Sequence, residues 1–241
     1  LHQAKERRRQ NVFLLEGTHL LQEACAVGYP LLQAAVTEAW AHTHGALLER
    51  LQSFVVDDVR LVSPDVLSSM CTTVNPDGIV AIARRVQTKH FSESVSLGVA
   101  LEHLQDPGNL GTVIRTAAAV GCDRIWLTND SVDLDHPKVL RATAGQWFRL
   151  PMQTVATLNS LSTLDVQLVA TTPTASLNYW ELDLRQPTVF LMGNEGAGLS
   201  PQAMALATQT VKIPLAADVE SLNVAIATAV LLYEAKRQRQ T

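Results

Sequence analysis

Three short polar segments in the second half of the chain contain the residue types that could perform chemistry. They are residues 106–111, 193–198 and 213–223, and each follows a short apolar run. In or just after them stand two amides, a guanidinium, a carboxylate and a hydroxyl, from Asn109, Arg115, Glu195, Ser221 and Asn223. Amide and guanidinium groups hold and orient a polar substrate, and carboxylates and hydroxyls accept hydrogen bonds or carry a proton. These five residues are the candidate site.

Taken singly, two of these residues also have simpler explanations. Arg115 is the only charged residue between positions 112 and 120, and a helix needs one polar face. Ser221 has the residue type of a helix N-cap. Asn223 is harder to explain in this way, because asparagine in the first turn of an otherwise apolar helix has low helix propensity.

The segment 188–201 has the order strand, glycine loop, helix. Residues 188–192 are apolar, β-branched and aromatic, which predicts a buried strand, and Ser200-Pro201 is typical of a helix N-terminus. Glycine lacks a Cβ and accepts positive φ, so the loop can bring backbone N–H groups close to a ligand. A dinucleotide loop fits poorly, because the glycine order is G-x-x-G-x-G and Glu195 would repel a pyrophosphate. The remaining alternative is a tight exposed turn.

Composition limits the classes of function. The 241 residues allow one large domain or two modest ones, and no apolar run is long enough to span a membrane. We expect no signal peptide. Cys25, Cys71 and Cys122 lie far apart without a C-x-x-C pair, which indicates neither disulfides nor a metal site and favours a cytoplasmic protein. The net charge of −4 gives no general support to nucleic-acid binding. A local patch suffices, however, and Lys5 with the basic residues 7–9 is the predicted site of phosphate contacts.

The elements that must position the candidate site alternate between strands and helices. In the first part of the chain we predict strands at 12–15, 31–36, 54–56 and 79–83, with helices after Thr18 and Ser63-Pro64. Residues 86–94 are polar and predict a linker. In the second part we predict strands at 95–101, 124–128, 148–153, 166–170, 189–192 and 210–213, with helices between them. This pattern predicts a mostly parallel sheet with helices on both faces.

Two predicted helices bear on the candidate site. Asn109 is expected to cap a helix over 110–120, which Gly121 would stop. The last helix is expected from Leu222 to about residue 237. One stripe of that helix packs on the sheet or on a partner, and it contains Leu222, Ile226, Ala229 and Tyr233.

Three ordered motifs of this chain resemble one family closely. They are D-P-G-N-L-G-x-x-x-R-T-A-x-x-x-G from residue 106, L-M-G-N-E-G-x-G-L-S from residue 191, and I-P-L followed by S-L-N-V-A-x-A from residue 213. These are similar to the motifs of the SpoU (TrmH-like) branch of the SPOUT RNA 2′-O-ribose methyltransferases. The resemblance covers about residues 95–237, and residues 136–151 share it. Residues 1–85 resemble, more weakly, the family's substrate-binding domain, which is similar to small RNA-binding ribosomal proteins.

The resemblance implies an α/β fold of two domains. Residues 1–88 would form a small RNA substrate-binding domain, and residues 95–241 a SPOUT methyltransferase domain with a trefoil knot. The cofactor implied is S-adenosylmethionine, and the assembly implied is a homodimer with the active sites near the subunit interface. No metal is needed, because no phosphate ester is cleaved, and we expect no membrane association.

The resemblance also implies roles for individual residues. Arg115 is the family's proposed catalytic residue, and we favour a role in binding phosphate and orienting the ribose hydroxyl over a role as base. Asn109 and Glu195 would hold Arg115 and the RNA, while Ser221 and Asn223 complete the polar wall. The methyl donor would contact seven residues, namely Thr171, Thr172, Leu191, Met192, Gly193, Ile213 and Leu222.

Three functions remain open at this point. The first is 2′-O-ribose methylation of structured RNA, with ribosomal RNA favoured because transfer-RNA members often have short basic extensions in place of an N-terminal domain. The second is methylation of transfer RNA. The third is a non-catalytic RNA-binding protein that kept the fold, which the intact candidate residues count against.

Overall fold

The computed structural model describes residues 1–85, 94–194 and 196–240. The described strands are β1 Val12–Glu16, β2 Leu31–Val36, β3 Val55–Leu61, β4 Ile79–Arg84, β5 Leu97–Leu101, β6 Arg124–Thr128, β7 Met152–Val155, β8 Gln167–Thr171, β9 Leu177–Asn178, β10 Thr188–Met192 and β11 Gln209–Lys212. The α-helices are α1 Ala4–Gln10, α2 Thr18–Ala26, α3 Glu38–Thr43, α4 Gly45–Phe54, α5 Pro64–Met70, α6 Pro107–Val120, α7 Pro137–Ala142, α8 Pro201–Leu206 and α9 Val224–Gln240. Short 3₁₀ helices cover Gln146–Phe148, Leu158–Thr163 and Tyr179–Glu181.

The chain forms two compact units, and the division does not follow a single point in the sequence. The first unit comprises Leu1–Gln87 and Asp133–Arg149, and the second comprises Thr88–Val132 and Leu150–Thr241. The predicted linker falls largely on residues 86–93, which lie outside the described residues, so the domain limits at 88 and 95 stay a prediction.

The first unit is a four-stranded sheet with helices packed on it. The strand order is β1-β4-β2-β3, with antiparallel pairs β1/β4 and β2/β4 and a parallel pair β2/β3. One of its apolar clusters combines residues of β1, β2 and β4 with α2 and with Leu140, which is fully buried in α7. Trp147 completes this core, with its ring centroid 5.1 Å from that of Phe13 and 5.7 Å from that of Tyr29. Residues 133–149 are therefore part of the first unit's own interior.

An ionic cluster fixes α1 in the first unit. Arg7 is only 1% exposed, and its guanidinium donates to Asp133 Oδ2 at 2.9 Å and to Asp135 Oδ1 at 3.1 Å. Arg8 also pairs with Asp133, and Arg85 pairs with Asp135. The prediction that Arg7 contacts phosphate is wrong, because a buried guanidinium already satisfied by two carboxylates is not accessible to RNA.

The second unit contains a seven-stranded sheet; its parallel character was predicted, whereas the short strand β9 was not. Its order is β7-β6-β5-β10-β8-β11-β9, and every described pair in it is parallel. The chain moves from β5 outward through β6 and β7, and later returns to place β10 on the other side of β5. The trefoil knot that the resemblance implies stays a prediction.

The strand predicted over 148–153 exists with other bounds, since Gln146–Phe148 is a 3₁₀ helix and β7 covers Met152–Val155. Thr18, which was expected to cap α2 from the position before it, is instead the first residue of that helix, and Gly17 occupies the N-cap position. Within the described part of the chain, no helix combines the length and the apolar character needed to cross a bilayer.

The last helix, α9, buries a different face from the predicted one. Its interior residues are Val224, Ala225, Thr228, Leu231, Leu232 and Ala235. Ile226 and Tyr233, which belong to the predicted stripe, are instead 51% and 54% exposed. The stripe is therefore not packed on the sheet, and the alternative of a partner remains.

Candidate functional site

The candidate site lies where the order of strands in the second sheet reverses. β5 and β10 are neighbours, and the segments that follow their carboxyl ends continue in different directions. Open parallel sheets bind their ligands at such a switch point, because the diverging loops leave a crevice there. The first two polar segments of the sequence analysis begin at these two strand ends.

The first segment enters α6 through Asp106, which is the N-cap in place of the predicted Asn109. The Asp106 carboxylate accepts a hydrogen bond from the Asn109 backbone N–H at 2.7 Å, and Pro107 occupies the first helical position. Asn109 consequently lies within the first turn of α6, and its side chain does not cap the helix. Its Oδ1 accepts a hydrogen bond from Asn223 Nδ2 at 2.9 Å.

Asn223 connects the third segment to the first. It stands directly before α9, where its Oδ1 accepts from the backbone N–H of Ala225 at 2.9 Å and of Ile226 at 3.4 Å. The amide therefore caps α9 with its oxygen and holds Asn109 with its nitrogen. Ser221, the alternative N-cap, is exposed two residues earlier and does not cap this helix. The structure thus brings Asn109 and Asn223 together, across 114 positions of sequence.

Arg115 is exposed on α6, with no hydrogen bond or ion pair to any residue of the described segments. It lies six residues after Asn109, which corresponds to roughly 9 Å along a helix axis. Helical side chains lean toward the N-terminus of their helix, so the guanidinium is directed back toward the end that bears Asn109. Glu195 lies outside the described residues, and its place beside Arg115 stays a prediction.

The glycine loop after β10 closes on itself. Asn194 and Gly198 exchange backbone hydrogen bonds of 3.0 and 2.9 Å, which brings the loop back over Gly193. A Cβ on Gly193 would lie 2.1 Å from the carbonyl carbon of Gly198, so only glycine fits this position. The Asn194 side chain accepts from the N–H groups of Gly196 and Ala197 and donates to the carbonyl of His103. The glycines predicted a close approach of the backbone to a ligand. In the structure they also allow two parts of the loop's own backbone to pack against each other.

Glu102 was not predicted, and it ties the first segment to the second. This side chain is 7% exposed and accepts from Ser200 N at 2.7 Å and from Ser200 Oγ at 2.8 Å. Ser200 in turn caps α8 by accepting from the Ala203 N–H at 3.1 Å, which confirms the predicted cap. The sequence did contain a signal for this contact, because Glu102 directly follows an apolar strand. A carboxylate at such a position is often buried, and a buried charge needs hydrogen-bond partners.

Six of the seven residues expected to contact a methyl donor lie at the end of, or directly after, three adjacent strands, and Leu222 lies shortly before α9. β10, β8 and β11 stand side by side, so their carboxyl ends place Thr171, Met192 and Ile213 at one edge of the sheet. Leu191 is fully buried in the core and Met192 is 4% exposed, so Leu191 can offer only its backbone. Four of the seven are partly exposed, namely Thr171, Thr172, Gly193 and Ile213, and Leu222 is 37% exposed.

The edge therefore offers hydroxyls, backbone groups and apolar surface. Across the segments 1–85, 94–194 and 196–240, no cluster of three or more His, Cys, Asp or Glu side chains could hold a metal ion.

Comparison with known proteins identifies both parts of the chain. A family model described as the SpoU rRNA Methylase family matches residues 96–233, and one described as the MRM3-like substrate binding domain matches residues 1–81. An uncharacterized tRNA/rRNA methyltransferase of Synechocystis sp. is 48% identical over 244 residues, covering 99% of this chain and 89% of its own length. RlmP of Bacillus subtilis, a 23S rRNA (guanosine(2553)-2′-O)-methyltransferase, is 30% identical and covers 97% of this chain and 92% of its own.

A solved structure gives the same result at the level of the fold. The SpoU methyltransferase AviRb of Streptomyces viridochromogenes, crystallised with AdoMet, superposes with a TM-score of 0.89 at 27% identity. The superposition covers 99% of this chain and 94% of that one. The ordered motifs, the switch-point crevice and these matches agree. They show that the chain belongs to the SpoU rRNA methylase family.

Proposed function

We propose that this protein transfers a methyl group from S-adenosylmethionine to a ribose 2′-oxygen of 23S ribosomal RNA. The observation that supports this most directly is the hydrogen bond from Asn223 Nδ2 to Asn109 Oδ1. It joins two of the candidate residues near the switch-point crevice, and the exposed Arg115 lies on the same helix as Asn109. The relative RlmP is named for 2′-O-methylation of a 23S guanosine, and it spans nearly the whole chain, including the first unit.

Each of the five candidate residues has a role in binding or orienting the RNA. Arg115 binds a phosphate of the target and holds the 2′-hydroxyl in line, since a planar guanidinium makes two parallel contacts and does not release its own proton. The paired amides of Asn109 and Asn223 form a fixed polar wall against which the ribose rests. Glu195 and Ser221 complete this wall. Orientation of this kind lowers the barrier without covalent participation of the protein.

The strand edge formed by β10, β8 and β11 fits the methyl donor. The partly exposed Thr171 and Thr172 supply hydroxyls, the backbone at Gly193 supplies amide and carbonyl groups, and Ile213 and Leu222 supply apolar surface. An adenosine needs such a combination of apolar walls and a few polar contacts. When bound, S-adenosylmethionine supplies an electrophilic methyl group, and the residues described above orient the acceptor toward it.

The protein acts as a homodimer, with α9 at the interface. Ile226 and Tyr233 stand seven residues apart on one face of α9, and both are about half exposed. Large side chains of this type on one face mark an interaction surface. Light scattering of the wild type should give twice the 26.2 kDa mass of the chain, and the double variant I226D/Y233D should give the single mass. A wild-type monomer would exclude this assembly.

The test of the proposed function is methyl transfer to unmodified transcripts. We expect incorporation from labelled S-adenosylmethionine into 23S rRNA, with the product resistant to alkaline cleavage at one nucleotide. The same assay with transfer RNA tests the second candidate, which the tRNA/rRNA description of the Synechocystis relative keeps open. Binding of RNA without any transfer would instead indicate a non-catalytic member. We further propose that the protein is cytoplasmic.

A further inference from the structure

His103 has an unusual backbone conformation. It follows Glu102 at the end of β5, and its φ of 54° lies in the left-handed region that side chains other than glycine rarely adopt. Its N–H donates to Thr128 Oγ1 at 3.0 Å, and its carbonyl accepts from Asn194 Nδ2 at 2.9 Å. Both of these contacts use backbone atoms of His103, and a glycine would make them with less strain. The loop geometry therefore does not explain the imidazole.

The imidazole is held by a carboxylate. His103 Nδ1 lies 2.8 Å from Asp130 Oδ2, and Asp130 Oδ1 accepts from Thr128 Oγ1 at 2.6 Å. The two side chains are 48% and 52% exposed, so this pair faces solvent. In the tautomer whose Nδ1–H donates to the carboxylate, Nε2 is a hydrogen-bond acceptor. No residue of the described segments occupies Nε2.

The surroundings of this pair indicate which ligand it would bind. A cavity of about 110 Å³ is lined by polar side chains including Glu102, Thr128, Thr157 and Asn159, together with the His103–Asp130 pair. Within the described segments, its lining contains two carboxylates and no lysine or arginine. A phosphate would be repelled here. The neutral acceptor Nε2 and the carboxylate suit N–H donors, and the amino groups of nucleobases are such donors.

We propose that the His103–Asp130 pair reads a nucleobase next to the methylated nucleotide, by accepting a hydrogen bond from its amino group. The site lies at the same switch-point edge as the candidate residues, joined to the glycine loop through Asn194. The inference rests on the proposed function for its choice of RNA as ligand. It makes His103 a specificity-determining residue that does not touch the reacting atoms.

The test compares H103G and D130N with the wild type, with unmodified 23S rRNA transcript as the probe. H103G should be at least as heat-stable as the wild type, because glycine relieves the strained φ. Its Kd and KM for RNA should rise about tenfold, the loss expected for one base-edge hydrogen bond, and D130N should behave alike. Turnover at saturating RNA and affinity for S-adenosylmethionine should not change. The matched control is N11G, at a φ of 55°, which should gain stability without a change in RNA affinity.

Base analogues provide the second readout once the methylated nucleotide has been mapped. Replacing guanosines by inosine, adenosines by purine riboside and cytidines by pyrimidin-2-one riboside, one at a time, should weaken wild-type binding at one position. H103G should no longer distinguish the analogue from the natural base there. RNA affinities within twofold of wild type in both H103G and D130N would overturn the inference. The role of His103 is decided by RNA affinity alone. Absence of methyl transfer by the wild type would therefore overturn the proposed function and not this inference.

Discussion

Replacing Asn223 separates its two roles. In N223A, α9 loses the acceptor of the Ala225 N–H and Asn109 loses its donor. A lost N-cap costs about 1 kcal/mol, and an exposed hydrogen bond about 0.5–1 kcal/mol more. The sum is about 2 kcal/mol, which corresponds to a fall in Tm of about 4–8 °C for a chain of this length. Methyl transfer should fall as well, because the polar wall is disrupted.

The informative variant is N223D. A carboxylate still accepts from the helix N–H groups and suits the positive end of the helix dipole, so the Tm should stay within about 2 °C of wild type. It cannot donate to Asn109 Oδ1, however, so Asn109 must turn its amide over to keep a contact, and its oxygen leaves its place in the polar wall. We expect the single-turnover rate with saturating cofactor to fall about 10²-fold, the usual cost of misplacing an orienting group. The assay is transfer of labelled methyl to RNA, with thermal unfolding of the same samples.

A matched control is available in the same unit. Asn178 caps the 3₁₀ helix Tyr179–Glu181 through its side chain, and N178A should lose stability while keeping its transfer rate. If N223D transferred methyl at the wild-type rate, Asn223 would be a helix cap alone. The hydrogen bond to Asn109 would then be incidental, and the site assignment would fail.

Three further predictions follow from single positions. R115A should lose about 10²–10³ in transfer rate with cofactor affinity nearly intact, and R115K should also be impaired, because an ammonium cannot make the two-pronged contact; near-normal single-turnover rates would remove Arg115 from the site. G193A should lose cofactor binding in calorimetry, because its Cβ would lie 2.1 Å from backbone across the loop, whereas G196A meets only a side-chain oxygen at 3.6 Å and should bind normally. Equal binding by both variants would contradict the loop geometry. Burial raises the pKa of the Cys71 thiol to about 11 and that of Cys122 to about 12. Since an unfolded thiol ionises near pH 8.5, the unfolding free energy should fall as pH rises from about 9 to 11, and iodoacetamide should label neither cysteine at pH 8.5 without denaturant.

Sequence patterns predicted correctly several features that depend on neighbouring residues. The buried strand β10 and the Ser200-Pro201 helix start are confirmed, because each depends on side chains adjacent in sequence, and the parallel sheet is confirmed because it follows from the alternation of strands and helices. The same rule, a capping residue followed by proline, also applies to Asp106-Pro107. Choosing Asn109 as the cap therefore overlooked a signal that was present in the sequence.

Other features were missed because they depend on residues that lie far away in the sequence or on partners outside the chain. Nothing near Arg7 indicates that Asp133 and Asp135, more than 120 positions later, neutralise it, so its burial could not be inferred. The link between Asn109 and Asn223 spans 114 positions and likewise has no local signal. In α9, both the buried and the exposed face contain apolar residues, so periodicity alone did not distinguish the core from an interface.

The membership of residues 133–149 in the first unit has a consequence for synthesis of the chain. Leu140 and Trp147 fill the interior formed by β1, β2 and β4, and Asp133 and Asp135 neutralise the buried Arg7. On the ribosome, the N-terminal sheet emerges first but keeps an unfilled interior and an unpaired internal charge until residue 149 has left the exit tunnel. A domain formed by one continuous segment can fold as it emerges from the ribosome. The first unit can complete its fold only after residues 133–149 have been synthesised. A transplant of residues 1–87 onto another enzyme would therefore need residues 133–149 as well.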